Sequence, residues 1–238
     1  MKTIKNRFIC PIPEWLRGEL LEYNRLYAYP VIPEDIGISE FQILDSGGYS
    51  LMKQKRRMSY KYIENLAIHY SEYDHEKRYL AAPDVGGNMW ETMKNFEYYI
   101  TQYSNNVQPV LHYTSPYWDF SELKYQLDFY KERINDKKFI FSGKGRANVE
   151  LMKKYGAKHK INLIQKILKN HWLHIFGIGW GVHDCRELAK FGKSFSIDTI
   201  NYYQAAEVLS RNANEWDNYE TDRVKAAIIN ASKANNLL

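Results

Sequence analysis

Three aspartates in this sequence stand where a short apolar run ends. Asp45 closes the run Phe41–Leu44, Asp84 follows Tyr79–Ala82 and one proline, and Asp198 follows Ser194–Ile197. Other chemistry-bearing residues hold equivalent places. His112 closes Val107–His112, Gly143-Lys144-Gly145 follows KFIFS, and Gly177-Ile178-Gly179 follows LHIF. A single aspartate after a strand is most often a turn or helix-cap residue. Three of them with glycine-rich partners suit a site better. Two converging carboxylates can substitute at a sugar carbon: one attacks the anomeric centre and the other moves the proton of the leaving group. Three acids could also hold Mg²⁺, although no Asp-x-Asp or His-x-His pair accompanies them. The remaining histidines, His69, His75, His159, His171, His174 and His183, read as structural or surface residues in or near helices.

The densest of these stretches is Leu44–Ser50, LDSGGYS. Asp45 and the hydroxyl of Ser46 precede two glycines, which let the backbone turn sharply and approach a ligand closely. Tyr49 offers a flat face for a planar ligand. Just beyond lies a basic run, Lys53-Gln54-Lys55-Arg56-Arg57. Lys53, Lys55, Arg56 and Arg57 can follow a phosphate backbone, or they can be the solvated start of a helix.

The elements that must position these residues alternate. Strands are predicted at Arg7–Cys10, Phe41–Asp45, Tyr79–Ala82, Val107–His112, Lys138–Ser142, Leu173–Gly177 and Ser194–Ile197. Residues 14–40 read as a helix and then a loop with Pro30 and Pro33. Helices are predicted at Ser59–Lys77 with Ser59 as cap, Met89–Tyr103, Phe120–Ile134, Asn148–Tyr155, Lys160–Asn170, His183–Phe191, Tyr203–Leu209 and Thr221–Ala234. Strand and helix in turn imply βα units and a parallel sheet. Seven strands approach the eight of a TIM barrel, whose sites form where the strand carboxyl ends meet. An open doubly wound sheet has the same local signature. No linker or repeat divides the chain, so residues 1–238 read as one domain.

Composition sets the outer limits. With 238 residues, 45% hydrophobic and 26% charged, the chain is that of a globular protein with ample length for a core. Lys and Arg outnumber Asp and Glu by 33 to 28, a net charge of +5 and a pI near 8.9, a mild bias toward a polyanionic partner. Tyrosine is abundant, at 20 residues. Two cysteines, Cys10 and Cys185, make neither a disulfide framework nor a cysteine-rich zinc site. The amino terminus lacks the apolar core of a signal peptide, and the longest apolar run, Trp172–Val182, is too short to span a bilayer. A cytoplasmic protein with no membrane partner is expected.

LDSGGYS resembles the Asp-Ser-Gly-Gly-Tyr-Gln motif of the tRNA-guanine transglycosylase family. LHIFGIG resembles that family's Leu-Met-Gly-Val-Gly strand. DCRELAKFGKSFSID resembles its helix and Gly-x-Asp-x-Phe-Asp segment. The match runs from residue 41 to about 200. It implies a compact TIM (β/α)8-type barrel that exchanges guanine for a 7-deazaguanine such as preQ0; no cofactor is expected, and with only two cysteines set far apart no metal. By the same resemblance Asp198 is the nucleophile that attacks C1′, and Asp45 the second catalytic aspartate, a proton-transfer group. Asp84 reads the base edge, while Tyr49 and Phe176 stack on the base. His112 falls where the family has a base-binding glutamine. Ser46, Gly143 and Lys144 fall on base-binding loops, Lys144 replacing an apolar residue. The tRNA enzymes' Cys-x-Cys-x-x-Cys…His zinc site is missing, as is their Pro-Thr-Arg, replaced here by Thr199-Ile200-Asn201. These losses resemble the DNA-modifying branch of the family, the deazaguanine DNA transglycosylases (DpdA), above all its compact phage-type members. The resemblance therefore implies DNA as the polymer and a free 7-deazaguanine as the incoming base, in the host cytoplasm if the protein is phage-encoded. A tRNA transglycosylase without the zinc module and a non-catalytic nucleic-acid-binding subunit are the alternatives.

Overall fold

The computed structural model describes residues 7–9, 25–30, 42–73, 78–103, 106–113, 120–134, 138–142, 161–176 and 195–199, with 7–9, 25 and 195–199 described as backbone. Nine strand segments form one sheet: β1 (Arg7–Ile9), β2 (Arg25–Ala28), β3 (Gln42–Asp45), β4 (Arg78–Ala81), β5 (Val107–Gln108), β6 (Val110–His112), β7 (Lys138–Ser142), β8 (Trp172–Ile175) and β9 (Phe195–Thr199). Every pairing among them is parallel. The described helices are α1 (Gly48–Lys53), α2 (Tyr60–Tyr73), α3 (Met89–Gln102), α4 (Phe120–Lys131) and α5 (161–168). They lie in the crossovers that parallel neighbours require. Among the described residues no helix is long and apolar enough to cross a membrane.

The strand order is β5-β4-β3-β2-β1-β9-β8-β7-β6. Its two outer members, β5 and β6, are consecutive in sequence and separated only by Pro109. On one side Leu80 pairs with Val107 and Ala81 with Gln108; on the other Val110, Leu111 and His112 pair with Ile140, Phe141 and Ser142. Proline has no N–H to give a ladder, so the regular pairing breaks there. Its carbonyl still accepts from Ile140 N at 2.9 Å, and Gln108 O accepts from Ala82 N at 2.9 Å.

Side chains alternate between two faces, as the pleat requires. Leu44, Leu80, Leu111, Phe139, Phe141, Leu173 and Ile175 face outward into the main core with α2 to α5. Leu26 and Ile43 form one inner cluster, flanked by Tyr79; Ala81, Val110 and Ile140 form another. Phe176 packs against both. It follows β8, which stands three strands away from β2 and four from β3 in the sheet. A flat sheet would hold positions even three strands apart roughly 14 Å from one another, so the sheet curves around its inner face.

Two expectations are corrected. Arg25–Ala28 form a strand, β2, where the end of a helix and the start of a loop were expected; residues 14–24 and 31–40 lie outside the described residues. RLYA carries no period of its own; it is a strand because its neighbours β1 and β3 supply hydrogen bonds on both sides. The segment after Asp45 is also more than a turn. Gly47, at φ 75, opens α1, which carries Gly48, Tyr49 and Lys53.

Candidate active site at the strand ends

Asp45, Ser46, Asp84 and His112 sit at or just past the carboxyl ends of β3, β4 and β6, which are successive in the strand order once Pro109 is passed. Ser46 Oγ donates to Asp84 Oδ1 across 38 residues of sequence. The same hydroxyl accepts from Gly48 N at 3.3 Å and Asp84 N at 3.4 Å. This approach explains the glycines. A Cβ on Gly48 would lie 2.1 Å from the Asp84 carbonyl oxygen, and one on Gly47 would lie 2.3 Å from the Tyr29 carbonyl oxygen. On the far side of Asp84, Val85 N donates to Thr92 Oγ1 at 2.9 Å, tying the loop to α3. Helix α3 is itself capped by Asn88, whose side chain accepts from Glu91 N.

His112 is held by its own backbone. Gln126 of α4 accepts from His112 N at 2.8 Å and donates to His112 O at 2.6 Å. The ring is buried, and neither ring nitrogen has a hydrogen-bond partner among the described residues. Its Nε2 stands 3.7 Å from Asp84 Oδ2, beyond hydrogen-bonding reach.

Burial sets the charges. It pushes the Asp84 carboxyl up to about 6, against the opposing hydrogen bonds from Ser46 and the backbone. It pushes His112 down to about 4. At neutral pH this is a buried carboxylate beside a neutral imidazole, so the 3.7 Å contact is no ion pair. A buried acceptor next to a ring that can donate or accept suits a flat heterocycle with neighbouring donors and acceptors on one edge.

Tyrosines hold the strand ends in place. Tyr70 of α2, wholly buried, has its hydroxyl 3.0 Å from Leu44 O and 2.7 Å from Ala81 O, bridging β3 and β4 one residue before Asp45 and three before Asp84. Tyr62 donates to Ser46 O at 2.8 Å, and Tyr130 of α4 to Val110 O at 3.0 Å. Burial raises both Tyr62 and Tyr70 above the ordinary phenol, so the hydroxyls keep their protons. Composition gives no hint of this use. It becomes visible only as the buried stripe of α2, Ile63, Leu66, Ala67 and Tyr70.

The other expected site residues are distributed as follows. Phe176 lies half-buried on the inner face of the sheet. Tyr49 is 38% exposed on α1, with Lys53 Nζ 4.7 Å from its ring centroid. Lys53, Lys55, Arg56 and Arg57 are exposed. Asp198 is in β9, where it pairs with Phe8; Ser196, two residues earlier, pairs with His174. The Asp198 side chain, Gly143 and Lys144 lie outside the described residues. One histidine assignment is corrected. His174 is neither helical nor on the surface but buried in β8, where desolvation pushes it down to about 3.

No protein-family model matches the chain, and no curated protein is significantly similar to it.

Proposed function

We propose that the chain is a compact (β/α)8 barrel that exchanges guanine in DNA for a free 7-deazaguanine. The barrel reading draws on β5 and β6, one stretch of chain bonded to β4 on one side and β7 on the other, and on Phe176 packing against an inner-face cluster three to four strands away. Eight parallel strands, each next to its sequence neighbour, then surround one core.

The observation that carries the chemical reading is the buried set Ser46, Asp84 and His112 beside Asp45 at the strand ends. Asp84 accepts from guanine N1–H and the 2-amino group, a donor pair that adenine lacks. His112 offers a ring nitrogen to the same base. The carboxylate of Asp198 attacks C1′ and forms an ester as the C1′–N9 bond breaks. The departing guanine takes up a proton, with Asp45 as its source. The incoming 7-deazaguanine gives its N9 proton to Asp45, N9 attacks C1′, and the ester opens to return the Asp198 carboxylate. Two inversions restore the sugar configuration, and no strand is cut. Extruding a duplex guanine costs a few kcal/mol, which stacking on Tyr49 and Phe176 offsets.

The test is incubation with labelled guanine and either duplex DNA or tRNA. Label entering DNA is the expected result. Label entering tRNA alone would reassign the polymer, and label in neither polymer would overturn the reading.

A further inference from the structure

We infer that a pocket beside Asp84, set apart from Asp45, Ser46 and His112, takes the base of a nucleotide adjoining the target, with that nucleotide's phosphate on Lys55, Arg56 and Arg57; this rests on the nucleic-acid reading above. The pocket has a volume of about 210 Å³ and lies between α1 and the loop from β4 to α3. It shares Gly48 and Asp84 with the strand-end site but is lined by none of Asp45, Ser46 or His112. Its walls are Leu51, Met52, Met58 and Val85, an apolar lining in which the two thioethers can adapt to a flat ring. It is smaller than the roughly 300–1,000 Å³ of sites for drug-sized ligands, so it has room for one ring system.

Three cations stand around it. Lys55 occupies a left-handed turn at φ 55 that sets it, Arg56 and Arg57 in succession after α1. Arg56 makes a 3.4 Å contact to Gln54. Lys55 and Arg57 have no side-chain partner among the described residues. Glu91 is the one acidic side chain of the lining besides Asp84, and the capping group Asn88 engages it. An apolar slot for one ring with unpaired cations at its edge matches a nucleotide. Sharing the Asp84 wall puts that nucleotide next to a base read by Asp84.

The test uses single-stranded oligonucleotides, in which the target needs no unpairing. Each carries the target guanine and an abasic residue at one or the other neighbouring position. Binding is followed by fluorescence anisotropy on the parent and on Met52→Trp, which fills the slot. In the parent, an abasic residue on one side should weaken binding roughly 5- to 150-fold, the range for one stacked base. In Met52→Trp the intact oligonucleotide should bind more weakly and the abasic penalty should vanish. No penalty at either neighbour in the parent overturns the inference, even if Met52→Trp fails to fold. A penalty unchanged in a folded Met52→Trp overturns it too. The labelled-guanine assay is run alongside. Exchange into DNA with no neighbour penalty removes only this pocket, whereas loss of both removes the transglycosylase reading as well.

Discussion

Asp84 is expected to oppose the fold and serve the ligand. Its folded value near 6 stands above the ordinary 3.8, so the folded chain holds this proton more tightly than the unfolded chain does. The resulting penalty is absent below about pH 3.8, grows as pH rises to 6 and is full above that, at most about 3 kcal/mol. His112 acts in the opposite sense. Lowered from 6.5 to about 4, it costs nothing above pH 6.5 and destabilises as pH falls toward 4. Asp84→Asn should therefore raise the melting temperature at pH 7.5, with the advantage shrinking by pH 4.5. The same change should weaken guanine binding by about 1–3 kcal/mol, because an amide accepts where the carboxylate did but brings a donor against a donor. Thermal melts across pH and calorimetric titration with guanine check the two signs. A lower melting temperature at pH 7.5 would make Asp84 a structural cap. Asp198→Asn should abolish a covalent protein–DNA band on a denaturing gel. Asp45→Asn should slow both half-reactions by roughly 10²–10⁴-fold. A band that survives Asp198→Asn would transfer the nucleophile's role elsewhere.

The elements that carry the site are joined by side chains reaching back from helices. Tyr70→Phe leaves the shape of α2 intact but removes the hydroxyl that bridges Leu44 O and Ala81 O. It should lower stability by about 1–3 kcal/mol, read by urea denaturation. Gln126→Ala strips partners from both His112 N and His112 O and should cost a similar amount. The turn after α1 has a different task. Charge reversal at Lys53, Lys55, Arg56 and Arg57 should weaken DNA binding for all sequences alike and flatten its salt dependence, since each phosphate contact contributes about 0.9 to the slope. A slope equal to the parent's would leave this run as solvated surface.

For the whole molecule, the barrel proposed above predicts a pattern of amide exchange. An edge strand leaves alternate N–H groups open to water, whereas a strand bonded on both sides does not. Gln108, whose strand bonds β4, and Leu111, whose strand bonds β7, should both exchange as slowly as Ile43 and Leu44 of β3. Fast exchange at Gln108 beside slow exchange at Leu111 would mean an open sheet. Much of this frame was legible in the sequence, because helix and strand periods depend on near neighbours. The βα alternation, the cap at Ser59 (Tyr62 N to Ser59 Oγ, 3.2 Å), the tight turn at Gly47-Gly48 and the aspartates at strand ends all follow from a few adjacent residues. Strand β2 was not legible, since RLYA takes its form from pairing with strands on either side. The meeting of Ser46, Asp84 and His112 was legible as a shared strand-end site, but their individual contacts were not, because those depend on which strands lie side by side. The shifted proton affinities of Asp84 and His112 arise one level further on. They come from water excluded by residues distant in the chain, and only the packed structure brings those residues together.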